Sequence, residues 1–342
     1  MTKFDAEAKE RQLVAEATAW DTSTPIDAKP GDIPIVDVSD YFETGSTRAL
    51  NAAAAELRFA SENVGFYYLV GHQVDPALRA KIFDETKRFH EQNLETKELI
   101  LLNGPQSGLA GAGYLPFGNR MLPRRETGNS NEAFIIKGDA NIGLDDNQWL
   151  EEGQLPGFRN AVQTYLKAVK DLALRLLPIY AVALDLEPDF FSAAFTHPFW
   201  RLRLTHYPPA DRFGVTDRAS ANSFGIAPHV DTTFFTLLAQ DAPGLAIYSA
   251  EHDAWLNAPI VPDSFVVNSG ELLKQWSNDR FLSTRHFANN PSSEHSRLSI
   301  PLFFNANADY RMECLPSCTD ADNPPKYRPV SYLESQAGVQ GE

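Results

Sequence analysis

The chain has 342 residues, 43% hydrophobic and 22% charged, with a formal net charge of −15. That length buries one large core or two modest ones, and so acidic a surface repels phosphate backbones and anionic lipid, so neither nucleic acid nor membrane is an expected partner. No apolar run reaches the length of a bilayer span, and MTKFDAEAKERQLVAEATAW at the N-terminus lacks the apolar stretch of a secretory signal, so the expected compartment is the cytoplasm.

In chain order, residues 1–20 read as a short amphipathic helix and 21–32, DTSTPIDAKPGD, as a linker. IPIVDV (33–38) alternates as a first strand. Leu50, Ala53, Ala54, Leu57 and Val64 share one face of a helix over 47–64, which Gly65 stops. FYYLV (66–70) is a strand by composition. Asp75 and Pro76 form an N-cap and first-turn pair for a helix running to about Leu94. Residues 103–131, rich in glycine and carrying Arg120, Arg124 and Arg125, read as a long loop, which in a compact chain is functional or mobile. EAFIIK (132–137) resumes as a strand. Residues 157–186 make a long helix through Phe158, Val162, Tyr165, Val169, Leu172, Leu176 and Tyr180, which Pro178 is expected to kink or divide. From residue 200, short strand-like runs follow one another at 201–207, 234–240, 245–249, 264–268, 281–288 and 297–304, with turn residues between them. That texture predicts a sandwich or barrel.

The stretch APHVDTTFFTLL (227–238) carries the chemistry. On a strand, His229 and Asp231 would project to the same side. A third ligand is at hand in His286 of STRHFA. Two imidazoles and one carboxylate leave positions open on a metal, which suits a non-haem Fe(II) that must also bind substrate and O2. His72, His90, His197, His252 and His295 read as surface or satisfied core, and His206 as structural. Arg297 and Ser299 in SRLSIPLFF share a strand face, where a planar guanidinium beside a hydroxyl suits a carboxylate and where a buried arginine without an anion is costly. Cys314 and Cys318 in ECLPSCTD read as reduced thiols. GLAGAG (108–113) lacks the GxxxxGK[ST] pattern of a phosphate loop.

Taken together and in order, these motifs resemble the Fe(II)/2-oxoglutarate-dependent oxygenases, in the branch that includes isopenicillin N synthase and the plant flavonoid and gibberellin oxygenases. The similarity covers most of the chain: IPIVDV, ENVGFYYLVGH, HYPP, HVD, NSGELLKQWSNDRFLSTRH, RLSIPLFFNAN and NPPKYRPVSY. It implies a mainly β fold with flanking helices, a double-stranded β-helix (jelly roll) core and a helical N-terminal region. The implied division is an N-terminal helix and linker (1–32), the family's N-terminal region (33–156), a long helix packing on the barrel (157–196), the jelly-roll core (197–308) and a C-terminal extension (309–342). His229, Asp231 and His286 match the family's iron ligands, and Arg297 and Ser299 its clamp on the far carboxylate of 2-oxoglutarate. Strand phase in RLRLTHYPP puts Arg203, Thr205 and Tyr207 on one face and His206 on the other. Tyr207 matches the tyrosine that helps hold that carboxylate, and Thr205 stands where the family often has Asn. Phe287-Ala288 replaces the Arg-Val of many relatives, and Glu271 a common Asp.

The implied activity couples oxidative decarboxylation of 2-oxoglutarate to hydroxylation, or a related C–H oxidation, of a small organic substrate. Arg203 and Phe303, with Tyr114 and Phe117 of the 103–131 loop, are expected on the substrate side, for an anionic or aromatic molecule. Three other readings fit the same residues. One is an isopenicillin N synthase-like Fe(II) oxidase whose Arg-x-Ser pair holds substrate instead of 2-oxoglutarate. Another is a non-catalytic small-molecule-binding relative. The third is a zinc hydrolase on the same ligands.

Overall fold

The computed structural model describes residues 24–105, 107–119, 128–209 and 224–337. The helix expected over 1–20, and Arg120, Arg124 and Arg125, lie outside the described residues. The N-terminal half runs β1 (Ile26–Asp27), β2 (Ile35–Asp37), α1 (Ser39–Thr44), α2 (Thr47–Asn63), β3 (Phe66–Val70), α3 (Pro76–His90), α4 (Leu94–Glu98), β4 (Gly113–Leu115), β5 (Glu132–Gly138) and α5 (Phe158–Ala183). The second half supplies β6 (Pro198–Tyr207), β7 (Ile226–His229), β8 (Phe235–Gln240), β9 (Leu245–Ser249), β10 (Ala254–Asn257), β11 (Phe265–Ser269), α6 (Glu271–Trp276), β12 (His286–Ala288), β13 (Arg297–Asn307) and α7 (Tyr332–Ala337).

Local chemistry sets the helix limits. The Ser46 hydroxyl accepts from the Ala49 amide at the start of α2, and the Asp75 carboxylate accepts from Ala77 at the start of α3, with Pro76 in the first turn. Gly65 ends α2 at φ +76°, and a Cβ there would lie 2.4 Å from Thr284 Oγ1, so both backbone and space demand glycine. Pro178 sits inside a continuous α5 and does not divide it. Its cost, about 3 kcal/mol in a helix interior, is offset because Leu172, Leu176, Ile179 and Tyr180 around it all enter the main core.

The strands form two sheets. The larger has eight strands in the order β2-β3-β11-β8-β13-β6-β5-β4, and the smaller has five in the order β1-β10-β9-β12-β7. The N-terminal β3 pairs with the C-terminal β11, so neither half completes a sheet alone. Alternation along the large sheet separates its two faces. Leu202 and Leu204 on β6, Leu237 and Ala239 on β8, and Ile300, Leu302 and Phe304 on β13 join α5 in the main core. The opposite face carries Phe66, Tyr68, Val266 and Leu238, which pack against Leu245 and Ile247 of the small sheet. By register that inner face also holds Thr205 beside Ser299 and Tyr207 beside Arg297. The result is a jelly roll whose polar residues lie between its sheets, with helices on the outside of the larger one.

Three expectations change. The linker over 21–32 contains β1, which pairs in parallel with β10. The loop over 103–131 contains β4, paired with β5. The strand over 281–288 shrinks to β12, because the Leu282 amide donates to Ser61 O and the Thr284 hydroxyl to Val64 O, tying that segment to the end of α2. Among the described residues no helix is long and apolar enough to cross a membrane.

Candidate metal centre

His229 and His286 face each other across the β7–β12 pair, in direct register. Asp231 lies past the end of β7, so strand alternation is not what brings it to His229. Its Oδ2 accepts from Thr236 Oγ1 at 2.7 Å and from Asn268 Nδ2 at 2.8 Å. Both donors project from the inner face of the large sheet, on β8 and β11. The carboxylate is thus fixed by one sheet and the two imidazoles by the other.

Each imidazole is oriented through its Nδ1–H. His229 donates to Ala227 O at 2.8 Å and His286 to Thr284 O at 3.1 Å. A carbonyl only accepts, so both rings carry a proton on Nδ1 and turn Nε2 toward Asp231. Those two nitrogens lie 3.5 Å (His229) and 3.8 Å (His286) from Asp231 Oδ1, the oxygen that Thr236 and Asn268 leave free. Ligand atoms of the three residues all fall within 4.8 Å of one another.

Burial, and then the neighbouring His229, lower the His286 imidazole to about 4, against a smaller upward pull from Asp231 and the Thr284 carbonyl. Burial alone would raise the Asp231 carboxyl, but His286, His229 and Asn268 more than offset it and hold the group well below the usual carboxylate range. At neutral pH, His286 is therefore neutral and Asp231 ionised, the protonation states that metal binding requires. Two nitrogen lone pairs and one carboxylate oxygen converging on one point form a donor set that fits non-haem Fe(II).

The inner face of the large sheet that anchors Asp231 also carries a cradle for an anion. Arg297 is almost fully buried. Its Nε donates to Ala242 O at 3.1 Å and its Nη2 to Gln240 Oε1 at 3.0 Å, while Nη1 is buried with no partner. The guanidinium lies 4.7 Å from the centre of the Tyr207 ring. The Tyr207 hydroxyl is 3.4 Å from Ser299 Oγ, and the buried Thr205 hydroxyl has no partner. Gly244 backs the arginine so closely that a Cβ would fall 2.9 Å from Arg297 Cδ and 2.1 Å from Asn289 O. The unpartnered Arg297 Nη1 and Thr205 hydroxyl, with the Tyr207 and Ser299 hydroxyls that bond each other, lie in adjacent register pairs of β6 and β13 and fit the carboxylate of 2-oxoglutarate.

The residues expected on the substrate side divide. Phe303 is half-buried on the inner face, paired with Thr236 on β8 and Arg201 on β6. Arg203 is buried on the same face of β6 as Thr205. Phe117 follows β4 and is half-buried. Tyr114 is a correction: its hydroxyl donates to Glu132 Oε2 at 2.6 Å. Glu132 is in register with His206, on the helix-facing side of the large sheet, so Tyr114 points away from the inner face.

His90, Glu132 and His206 also bring ligand atoms within 4.8 Å of one another. There Glu132 already accepts from Lys97 Nζ at 2.7 Å, Tyr114 at 2.6 Å and His206 Nδ1 at 2.8 Å. Lys97 supplies the balancing charge and both Glu132 oxygens are already engaged, which sets this group apart from the His229, Asp231 and His286 site, although His90 Nδ1 is buried without a hydrogen-bond partner. The supporting residues Thr236, Asn268 and Gly244 were not singled out in the sequence. The available signal was polar Thr236 and Asn268 inside the apolar runs FFTLL and FVVNS.

Residues 200–306 match the model of the 2OG-Fe(II) oxygenase superfamily, and residues 33–152 that of the non-haem dioxygenase in morphine synthesis N-terminal region. A 2-oxoglutarate-Fe(II) type oxidoreductase, hxnY of Emericella nidulans, is 32% identical over 323 residues, covering 90% of this chain and 88% of its own. A 2OG-Fe(II) oxygenase family protein of Caulobacter crescentus superposes with a TM-score of 0.75 at 27% identity, covering 90% of this chain and 98% of its own. A full-length Neurospora crassa protein, in complex with alpha-KG and 5-formyluracil, superposes with a TM-score of 0.74 at 25% identity, covering 94% of this chain and 97% of its own. With the donor set, the anion cradle and the two-sheet fold all pointing the same way, the chain belongs to the Fe(II)/2-oxoglutarate-dependent oxygenases of the isopenicillin N synthase-like superfamily.

Proposed function

We infer that this enzyme couples the oxidative decarboxylation of 2-oxoglutarate, to succinate and CO2, to oxidation of a C–H bond in a small organic molecule. The observation that carries the reading is the convergence of two Nε2 lone pairs on the one uncommitted oxygen of Asp231. His229, Asp231 and His286 would hold the iron, which supplies the oxygen activation that no side chain can.

The other roles follow from the chain's own groups. Thr236 and Asn268 keep Asp231 ionised and aimed. The Ala227 and Thr284 carbonyls keep both imidazoles in the ligating tautomer. Arg297 receives the far carboxylate of 2-oxoglutarate on its unpartnered Nη1, and Tyr207, Ser299 and Thr205 add hydroxyl donors. Phe66, packed edge-on against His286 at 5.2 Å, and Phe303 on the inner face keep the space between the sheets apolar. That the related Neurospora protein holds 5-formyluracil together with alpha-KG supports a small-molecule substrate.

The test is anaerobic. Fe(II) and then 2-oxoglutarate are added, the visible charge-transfer band of the chelate is sought, and succinate is assayed after air is admitted. Band and succinate together are the expected result. Iron binding without the band would favour an oxidase that does not use 2-oxoglutarate. No iron binding would remove the three ligands.

A further inference from the structure

Residues 289–296 join β12 of the small sheet, which carries His286, to β13 of the large sheet, which begins at Arg297. The first two, Asn289 and Asn290, are half-buried. Asn289 continues β12 between β7 and β9, the strands on either side of it. Its amide donates to Gly244 O at 2.8 Å, just before β9, and its Oδ1 accepts from the Gly225 amide at 2.7 Å, just before β7. Each of these glycines lies against a cradle residue. A Cβ on Gly244 would fall 2.9 Å from Arg297 Cδ, and one on Gly225 would fall 2.7 Å from Tyr207 Cδ1. Glycine at both places lets the small-sheet backbone approach the arginine and the tyrosine closely.

Asn290 reaches the other sheet. Its Nδ2 donates toward Tyr207 O at 3.0 Å, Pro208 O at 3.1 Å and His295 O at 2.8 Å, and its Oδ1 accepts from the Ser292 amide at 3.0 Å. Tyr207 ends β6, and His295 lies two residues before β13. One amide group therefore ties together the ends of the two strands that carry the cradle. Asn289 engages these residues as an acceptor through its side chain, and Asn290 as a donor.

A 2-oxoglutarate held at the metal by one end and at Arg297 by the other reaches from the imidazoles of the small sheet to the large sheet. Its fit depends on where β12 stands relative to β6 and β13. We propose that Asn289 and Asn290 are positioning residues for 2-oxoglutarate, setting the distance of Arg297 and Tyr207 from the metal through Gly225, Gly244 and the ends of β6 and β13. This rests on the iron and 2-oxoglutarate reading, and the test separates the two.

Anaerobic calorimetry on the full-length chain measures the Kd for Fe(II) and then, with iron bound, the Kd for 2-oxoglutarate. Asn289→Ala leaves the Gly225 amide without its acceptor, and Asn290→Ala leaves three carbonyls without their donor. Each is expected to weaken 2-oxoglutarate roughly 5- to 50-fold, with Fe(II) within about twofold of wild type. The aspartates divide the roles. Asn289→Asp keeps the acceptor and should recover most of the loss, whereas Asn290→Asp lacks the donor and should bind no better than Asn290→Ala. Both add the same charge, so the titrations are run in about 0.5 M salt, where the Debye length is about 4 Å.

An unchanged 2-oxoglutarate Kd in either alanine variant overturns the proposal. So does an equal loss of Fe(II) and 2-oxoglutarate, the mark of a generally loosened loop, and so do aspartates that behave alike. If an alanine variant does not fold, the aspartates decide: Asn289→Asp close to wild type with Asn290→Asp at least about fivefold weaker supports the proposal, and equal affinities overturn it. A wild type that binds Fe(II) but not 2-oxoglutarate overturns the 2-oxoglutarate reading and the proposal with it, whereas variants that bind like a 2-oxoglutarate-competent wild type overturn the proposal alone.

Discussion

Thr236→Val tests whether the metal centre is set by the residues behind it. Valine keeps the β-branched shape that suits β8 and removes one hydroxyl. That hydroxyl donates to Asp231 Oδ2 at 2.7 Å, sharing the oxygen with Asn268 at 2.8 Å. A buried hydrogen bond to an ionised group contributes about 1.5–3 kcal/mol. At about 1.4 kcal/mol per tenfold, the variant should bind Fe(II) roughly 10- to 100-fold more weakly, in line with other residues that support metal ligands. Anaerobic calorimetry of Fe(II) binding measures this directly. Thr236→Ser retains the donor and should recover most of the loss. Iron affinity unchanged in Thr236→Val would refute the idea that Asp231 depends on the large sheet for its aim.

Arg297→Met should weaken 2-oxoglutarate by roughly 10- to 100-fold in the same anaerobic titration and leave the first Fe(II) binding step unchanged. Gly244→Ala should also weaken 2-oxoglutarate selectively, since its Cβ would meet Asn289 O at 2.1 Å and Arg297 Cδ at 2.9 Å; an unaffected Kd would show that the arginine is not braced there. Lys97→Met leaves Glu132 buried without its cation and should lower stability to urea by about 3–5 kcal/mol, while the Lys97→Met, Glu132→Gln double variant recovers part of it. His72 and His90 are both lowered from 6.5, chiefly by burial, so below that pH the unfolded chain takes up protons that the folded chain resists. Glu132 is held low by His206, His90 and Lys97 against its burial, so its contribution is present above 4.5 and lost as pH falls further. The urea midpoint should therefore fall as pH drops below 6.5 and fall again below 4.5; a midpoint flat across that range contradicts both assignments.

The sequence made legible the residues whose type is the chemistry. His229, Asp231, His286, Arg297 and Ser299 stood out because imidazole, carboxylate and guanidinium are rare in apolar strands; the structure gathers ligand atoms of the first three and sets the last two in register with Tyr207 and Thr205. The route by which two of them meet was not legible. His229 and Asp231 were placed by strand alternation, yet Asp231 lies beyond the strand and is held by hydrogen bonds from residues 5 and 37 positions away. Contacts of that range are settled by sheet register, which one-dimensional pattern does not carry. Tyr114 failed for a related reason: its face depends on the pairing of β4 with β5, inside a segment whose glycines read as loop. The short β1, β7 and β10 have too few residues to show an alternation and are fixed by the neighbours they pair with, β10, β12 and β9.

The ligands of the metal centre divide between the two sheets, with both imidazoles on the small sheet and the anchored carboxylate on the large one. Iron held there as proposed acts as a fastener as well as a reagent, because it adds bonds across a gap otherwise closed by apolar contacts and a few hydrogen bonds such as Tyr68 to the Pro259 carbonyl. At a free iron concentration of about 100 times Kd, the native state gains about 2.7 kcal/mol. A gain of that size is enough to change how much of a marginally stable protein escapes proteolysis. Iron supply would then bear on how much of the polypeptide persists as well as on how fast it turns over.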